Sequence, residues 1–407
     1  MTDFPRQVDV LVAGAGPAGS ATATLLARAG FSVVAADRAA FPRDKPCSEY
    51  MSPEAVRILS RLGVTDALER TGAVALEGLK VTAPRGATAH GRFALAGHRP
   101  FRATGLSVSR RIMDHELVKA ARQAGATVLE QTKVEELLYD RGAITGAVLR
   151  DRSGQRHPIH ARLTVGADGL RSIVARRIGR RSYGRPRRMA FVAHLTGIPA
   201  MEKMAELHFG PAGYVGLNPI GRELTNVGLV VPVERTGAAR SGVERFFYEA
   251  LTEFPDIRRR VAAGTIQGSI LTTGPFAAWS SRTTAPGALL VGDAADFFDP
   301  FTGDGIYSAL RGAELIFETV VPALNAPGAV AVDRLAEYRR LRRRVFTGKW
   351  IMERMVGYAM YFPRLFERGV ARMGIREDMA HTMVGVAGGF VPAREALNPI
   401  FLARMVL

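Results

Sequence analysis

An α/β fold of interleaved lobes is what this sequence predicts, and three observations carry the prediction. Residues 8–37 read as strand, glycine turn, helix, strand and acid: an apolar run Val8 to Ala13, then Gly14-Ala15-Gly16-Pro17-Ala18-Gly19, a small-residue helix Ser20 to Ala29, a second apolar run Phe31 to Ala36, and Asp37. Apolar strands ending in glycine turns return far downstream, at Leu163 to Gly169 and Ala288 to Asp296. Between them lie short apolar runs broken by turn signals, the pattern of a β-rich lobe. The pieces of the first lobe are therefore separated along the chain by pieces of the second. The expected boundaries are 1–70, 105–180 and 275–330 for a Rossmann-type lobe, 71–104 and 181–274 for the β-rich lobe, and 331–407 for a helical C-terminal region.

Each element has its local reason. In the opening turn, Gly14 lets the chain reverse sharply, Gly16 lets backbone approach a pyrophosphate, and Gly19 lets helix and strand pack closely. The N-terminal N–H groups of the helix that follows face the phosphates, and Asp37 stands where a carboxylate accepts from ribose hydroxyls. This fingerprint suits a flavin and a nicotinamide dinucleotide alike. Residues 38–50, punctuated by Pro42 and Pro46, are expected to be an extended loop. Ser52-Pro53-Glu54 caps an amphipathic helix ended by Gly63. Strands are expected at Leu79 to Ala83 and Phe93 to Ala96, a helix from Ser109 to Gly125, a strand Thr127 to Leu129, and a meander over residues 132–163. The substrate lobe is expected to carry strands at Phe191 to Leu195, Gly213 to Leu217 and Asn226 to Val231, with one helix near Val243 to Phe254. A helix starts after Gly303-Asp304-Gly305 and runs to about Val320, and the remainder is mostly helical.

Composition narrows the class. With 47% apolar and 23% charged residues over 407 positions, the chain has the balance of a folded enzyme with a large core. One cysteine, Cys47, leaves no internal disulfide and no multi-cysteine metal site, and a reducing cytoplasm fits it. The start, Met1-Thr2-Asp3-Phe4-Pro5, runs straight into the first strand, so no leader is expected. No apolar stretch reaches the roughly 18 residues of a membrane span. The net charge of +17 reads as a solvated arginine-rich surface or as a partner surface for an acidic substrate, an acidic carrier protein or an anionic membrane. No reading motif accompanies it, so nucleic acid is not an expected partner. The run Arg339-Arg340-Leu341-Arg342-Arg343-Arg344 and the following Trp350 define a helix with a basic face, packed on the body or docked to membrane or carrier.

The segment Val291-Gly292-Asp293-Ala294-Ala295, followed by Pro300-Phe301-Thr302-Gly303-Asp304-Gly305-Ile306, resembles the C-terminal flavin motif of FAD-dependent aromatic hydroxylases, flavin halogenases and geranylgeranyl reductases. Gly166-Ala167-Asp168-Gly169 supplies that superfamily's internal turn, in the right order. The resemblance implies a glutathione reductase-like FAD domain. It implies cofactor contacts at Gly14, Gly16, Pro17, Ala18, Gly19, Asp37, Arg38, Arg43, Cys47, Arg110, Val134, Asp168, Gly292, Asp293, Pro300, Gly303, Gly305 and Ile306. Arg110, opening a helix as Ser109-Arg110 with Asp114, is the implied pyrophosphate ligand. Asp293 can accept from a ribitol hydroxyl, and the helix after Gly305 can stabilise negative charge on a reduced flavin.

The loop Phe41-Pro42-Arg43-Asp44-Lys45-Pro46-Cys47 is most similar to the geranylgeranyl reductase-like branch, with departures. Where those reductases carry Cys-Gly-Gly, this chain has Cys47-Ser48-Glu49, with an extra carboxylate. Their substrate-lobe signature appears as Tyr214-Val215-Gly216-Leu217-Asn218-Pro219, with two aromatics replaced by Gly216 and Asn218. That wall is opened and made partly polar. The tryptophan pair of the halogenases is missing.

The expected function is therefore an FAD-dependent oxidoreductase. The first reading is a monooxygenase acting on an aromatic or polyketide-like molecule, in which Tyr214 and Asn218 orient a polar ring substituent. The alternative is a C=C reductase acting on an apolar or prenyl substrate, and a non-catalytic flavin-binding protein is the minor one. Electrons would come from NAD(P)H or an external flavin reductase, since only one dinucleotide fingerprint exists. Cys47 either donates a proton near the flavin or is a small apolar filler. His194 and His208 read as packing or surface residues.

Overall fold

Val10, Leu11 and Val12 are fully buried, so their strand has no solvent face and belongs at the centre of a parallel sheet. In the computed structural model, which describes residues 4–406 apart from 200, 212 and 222, that is its place. Strand Gln7–Ala13 pairs in parallel with Val33–Ala36 on one side and Arg156–Gly166 on the other, Val10 lying opposite both Val33 and Leu163. Thr127–Leu129 and Ala288–Leu290 extend the sheet outward, also in parallel. Segments far apart in sequence thus meet in one sheet, and the crossovers between them carry the other lobe. The meander Lys133–Asp140 and Ala143–Arg150 folds antiparallel onto Arg156–Gly166.

Helices Pro17–Arg28, Arg110–Gln123 and Gly305–Leu324 pack on one another and on the parallel sheet. Their contact faces hold small residues, among them Ala18, Ala21 and Ala309, which allow close approach. All three N-termini belong to segments that the sequence assigns to the cofactor.

The β-rich lobe is a seven-stranded sheet in the order Thr265–Thr273, Arg188–Thr196, Leu224–Pro232, Gly213–Pro219, Met204–Gly210, Gly78–Thr82, Thr88–Arg92. Strand alternation sorts its two faces. Val215, Leu217, Val227 and Leu229 point to helices Val243–Leu251 and Pro255–Ala262, where Phe247, Leu251 and Phe254 cover them. Tyr214, Gly216 and Asn218 occupy the opposite face, and Tyr214 packs there in a cluster with Phe301 of the flavin motif. The sequence therefore fixes which side of the sheet meets the cofactor lobe.

Two elements depart from expectation. Phe93–Leu95 is a short 3-10 turn rather than a strand, because Phe93 is fully buried between Tyr50 and Phe390 and the Ala96 N–H bonds back to its carbonyl. The helix expected to reach Phe254 stops at Leu251, and Pro255 starts a second one over Pro255–Ala262. The C-terminal region is helical, with Ala336–Ala359, Pro363–Ile375 and Glu377–Ala387 as its main elements. No helix among the described residues is long and apolar enough to cross a membrane.

Candidate functional site

The glycine turn is locked by close approach. A Cβ on Gly14, at φ +95°, would stand 2.5 Å from the Ala167 carbonyl oxygen, and one on Gly19 would stand 1.8 Å from the Gly14 carbonyl oxygen. Gly16 differs. The atoms nearest to the place of its Cβ are Nη2 of Arg43 at 3.6 Å and Nη2 of Arg110 at 4.0 Å. Helix Pro17–Arg28 begins here with no side-chain cap. Free N–H groups and a helix dipole on one side, with two guanidiniums on the other, make a slot for a doubly charged anion such as a pyrophosphate.

Arg110 is held for this task. Its Nε and Nη2 donate to the two Asp114 oxygens, each at 2.7 Å, and Arg43 reaches Asp114 at 3.0 Å. Burial alone would lower the Arg110 pKa, but Asp114 and then Cys47 outweigh it and raise it, so the charge is permanent. Asp37 accepts from the Ala15 N–H (2.8 Å) and the Ala39 N–H (2.9 Å), which ties the second strand's end to the glycine turn. These bonds use two of about four acceptor positions on the carboxylate, leaving others for ribose hydroxyls. Arg38 lies exposed beside it, and Val134 packs on the sheet cluster that holds Ala36 and Leu129.

Farther along, Asp168 accepts from the Ile173 N–H at 2.7 Å while its Oδ1 is buried without a partner. Burial pushes the Asp293 carboxyl up, against the pull of Lys45, Arg110 and Arg181. Arg181 donates to the carbonyls of Asp293 (2.8 Å) and Ala294 (2.7 Å), so it clamps the Gly292-Asp293 turn. Pro300 begins a 3-10 turn that ends at Gly303, whose Cβ would stand 2.7 Å from the Tyr50 ring; helix Gly305–Leu324 follows, with Ile306 buried. Asp304, just before that helix, is ion-paired with Lys349 of helix Ala336–Ala359.

The residues expected to do chemistry separate into two groups. The Tyr214 hydroxyl is buried and donates to Asp299 Oδ1 at 2.5 Å, and Arg188 donates to Asp299 Oδ2 at 2.7 Å. A phenol committed to a buried carboxylate is not presented to a substrate. Its position behind Pro300 anchors the flavin motif to the sheet instead. Asn218 and Asn226 are cross-strand partners, and both reach the loop at Cys47. Asn218 Nδ2 donates to the Ser48 carbonyl (2.7 Å), and Asn226 Nδ2 donates to the Cys47 carbonyl (2.8 Å) and to Glu49 (3.0 Å). The Oδ1 of Asn218 is buried without a partner. Cys47 is half-buried, and its Sγ accepts from the Glu49 N–H at 3.3 Å.

Glu49 organises the second group, although sequence reasoning marked it only as an extra carboxylate. It is 1% exposed and sits at φ +62°, a left-handed conformation unusual for a glutamate. Its Oε1 accepts from the Arg110 N–H at 2.7 Å, and its Oε2 meets both Asn226 and His194 Nε2, the latter at 2.8 Å. Burial would lower the His194 pKa, but the hydrogen bond and charge of Glu49 reverse that and raise it above 6.5. Lys45 was missed as well. Burial and Arg110 push its ammonium pKa down, Asp293 opposes them, and its Nζ lies 3.7 Å from where a Gly169 Cβ would be. Between the two groups, Gly216 and Gly228 lie directly opposite each other; added Cβ atoms would meet nothing closer than 3.6 Å and 3.9 Å. The sheet carries no side chain at that point.

A long dinucleotide fits these residues. The Gly16 slot has the charge for its phosphates, Asp37 stands at one end, and the Asp293 and Gly303–Gly305 turns stand at the other. The unpartnered Asp168 Oδ1 lies along the same path, as the buried acceptor such a ligand would satisfy.

Comparison with known proteins agrees. The model of a family described as "FAD binding domain" matches residues 7–349. The digeranylgeranylglycerophospholipid reductase of Methanothrix thermoacetophila is 31% identical over 84% of this chain and 84% of its own. A menaquinone reductase of Mycolicibacterium smegmatis is 30% identical, covering 77% of this chain and 76% of its own. Among solved structures, a myxobacterial chondrochloren halogenase aligns with TM-score 0.80 at 25% identity, over 99% of this chain and 91% of that one. A geranylgeranyl bacteriochlorophyll reductase-like protein of Thermoplasma acidophilum aligns with TM-score 0.78 at 20% identity, over 98% of each chain.

Proposed function

The chain belongs to the FAD binding domain family, as an FAD-dependent oxidoreductase of the geranylgeranyl reductase-like branch, and we propose that it reduces C=C bonds of an apolar, prenyl-type substrate. The observation that carries this reading is the His194–Glu49 pair beside Cys47, on the sheet face that meets the cofactor lobe. Saturating a C=C bond requires a hydride at one carbon and a proton at the other. Bound FAD supplies the two-electron chemistry. The chain's part is to hold a proton nearby, and Glu49 raises the affinity of His194 for that proton. Asn218 and Asn226 fix the Cys47 loop beside Gly216 and Gly228, where the sheet face carries no side chain that a hydrocarbon would have to displace. Tyr214, Asp299 and Arg188 keep the flavin motif in register with the sheet, and the tight cradle excludes water.

The preference for hydroxylation rested on Gly216 and Asn218 replacing aromatics. The reductase names among the relatives support the other reading. Hydroxylation keeps one specific observation, the unpartnered Asn218 Oδ1, which could accept from a polar substituent. The test is anaerobic. Holoprotein reduced with dithionite is mixed with a geranylgeranyl-bearing lipid, and mass spectrometry follows the product. Gain of a hydrogen pair per double bond without oxygen supports the reductase; no anaerobic product combined with substrate-dependent oxygen uptake in air overturns it.

A further inference from the structure

Behind the flavin motif lies a second cavity that the reading above does not use. It has a volume of about 540 Å³ and lies between helix Ala336–Ala359 and strand Ala278–Ser280, continuing along the segment to Pro286. That volume is within the roughly 300–1,000 Å³ of small-molecule sites. A narrower cleft shares Asp296, Phe297, Phe298, Arg342 and Trp350 with it and continues to Gly292, Asp293 and Gly305. The cavity therefore backs onto the cofactor turn without being part of the glycine-turn site.

Its lining has a definite chemistry. Arg282, Arg339, Arg342, Arg343 and Arg354 all face it, and Asp296 is its only carboxylate. Arg342 takes that carboxylate at 2.6 Å. Among the described residues, Arg282, Arg339, Arg343 and Arg354 have no ion-pair partner. These four arginines are exposed, so their charges are solvated, and together they set up a positive field that favours entry of an anion. The walls are flat and aromatic: Trp279 and Trp350, the chain's two tryptophans, with Phe297 and Phe298. Arg354 lies 5.9 Å from the Trp279 ring centre and Arg342 lies 5.0 Å from that of Trp350. Ser280 Oγ donates to the Arg282 carbonyl and Ser281 Oγ accepts from the Arg180 N–H, while Thr284 Oγ1 on the same side is buried without a partner, a group that suits a sugar hydroxyl and not a hydrocarbon tail.

We propose that this cavity binds a nucleotide phosphate, with arginines forking onto the phosphate oxygens, a tryptophan against the base and the Thr284 side facing the ribose. Two sources share that chemistry, a free adenine nucleotide and a pyridine dinucleotide electron donor. Binding is claimed independently of the substrate that the flavin reduces.

The test uses FAD-loaded protein without substrate. Tryptophan fluorescence is titrated with NADP⁺, NAD⁺, ADP and inorganic pyrophosphate, with flavin absorbance monitored to exclude displacement of FAD, and equilibrium dialysis supplies the affinities. Saturable quenching by a nucleotide, weakened about tenfold or more in an Arg339→Ser, Arg343→Ser double variant, supports the site. Both arginines are exposed, so the variant should fold, and unchanged flavin content checks this. Tighter binding of a dinucleotide than of ADP identifies an electron-donor site; equal binding identifies a free-nucleotide site. Absence of saturation, an undiminished affinity in the double variant, or pyrophosphate binding as tightly as the nucleotides overturns the proposal. Failure of C=C reduction alongside nucleotide binding would reject the reductase reading and leave this one standing.

Discussion

Replacing Glu49 with glutamine tests the organisation of the site in one atom. The carboxylate receives three donors: the Arg110 N–H and Asn226 Nδ2 at 2.7 and 3.0 Å, and His194 Nε2 at 2.8 Å. A glutamine keeps only one acceptor oxygen. If that oxygen faces Arg110, its amide group points at Asn226 and His194; if reversed, it points at the Arg110 N–H. Either way a buried donor is stranded, at about 1–3 kcal/mol. The ion pair with His194 is lost as well, at a cost reduced because the imidazole is 18% exposed and can shed its proton. A net loss on the order of 2 kcal/mol is expected near pH 6.

The pH dependence of that loss is the sharper signature. His194 has a folded pKa above its ordinary 6.5, so its contribution is fully present below 6.5 and is lost as pH rises through the folded value. In that window it contributes a slope of up to about 1.4 kcal/mol per pH unit. Urea unfolding of the FAD-loaded protein between about pH 6 and pH 8.5, at fixed free FAD, should show this slope in the wild type and not in Glu49→Gln. The reasoning fails if the two proteins differ by the same amount at every pH, or if the substitution leaves stability unchanged.

Four further outcomes follow from named contacts. Gly19→Ala should purify without flavin colour, because its Cβ would lie 1.8 Å from a carbonyl oxygen that cannot yield; a normal flavin absorbance would refute the close-packed turn. Tyr214→Phe removes a hydrogen bond to the buried Asp299 and should cost about 1.5–3 kcal/mol in unfolding experiments with KM unchanged, whereas a raised KM at unchanged stability would restore its assignment to the substrate. Gly216→Ala should fold, since its Cβ would make only an ordinary 3.6 Å contact with Leu207 Cδ2, but raise KM for bulky substrates, as steady-state kinetics would show. Cys47→Ala should retain FAD and change turnover; unaltered kinetics would remove the thiol from the mechanism.

Legibility followed sequence distance. The glycine turn and Asp37 could be read directly because their roles are set by spacing within one strand–helix–strand unit. The family signature drew attention to Tyr214, Gly216 and Asn218, but not to their partners: Asp299 arrives from the flavin motif, and Ser48 from a loop whose path the sequence leaves open. His194 looked like packing because its only meaning is Glu49, which lies in the cofactor lobe. One local signal could have found the pair. The resemblance implies a glycine where Glu49 stands, which points to a left-handed backbone at that position, and the φ of +62° at Glu49 is a conformation that costs a glutamate more than a glycine.

That strain ties the two lobes together. Glu49 holds the N–H that opens the helix of Arg110, the pyrophosphate-side ligand, with one oxygen, and holds the substrate-lobe residues Asn226 and His194 with the other. One buried carboxylate thus joins the start of that helix to His194 of the β-rich lobe. A glycine in its place would relieve the backbone but cut the connection. Glu49 at this position therefore fixes the loop to both lobes at once.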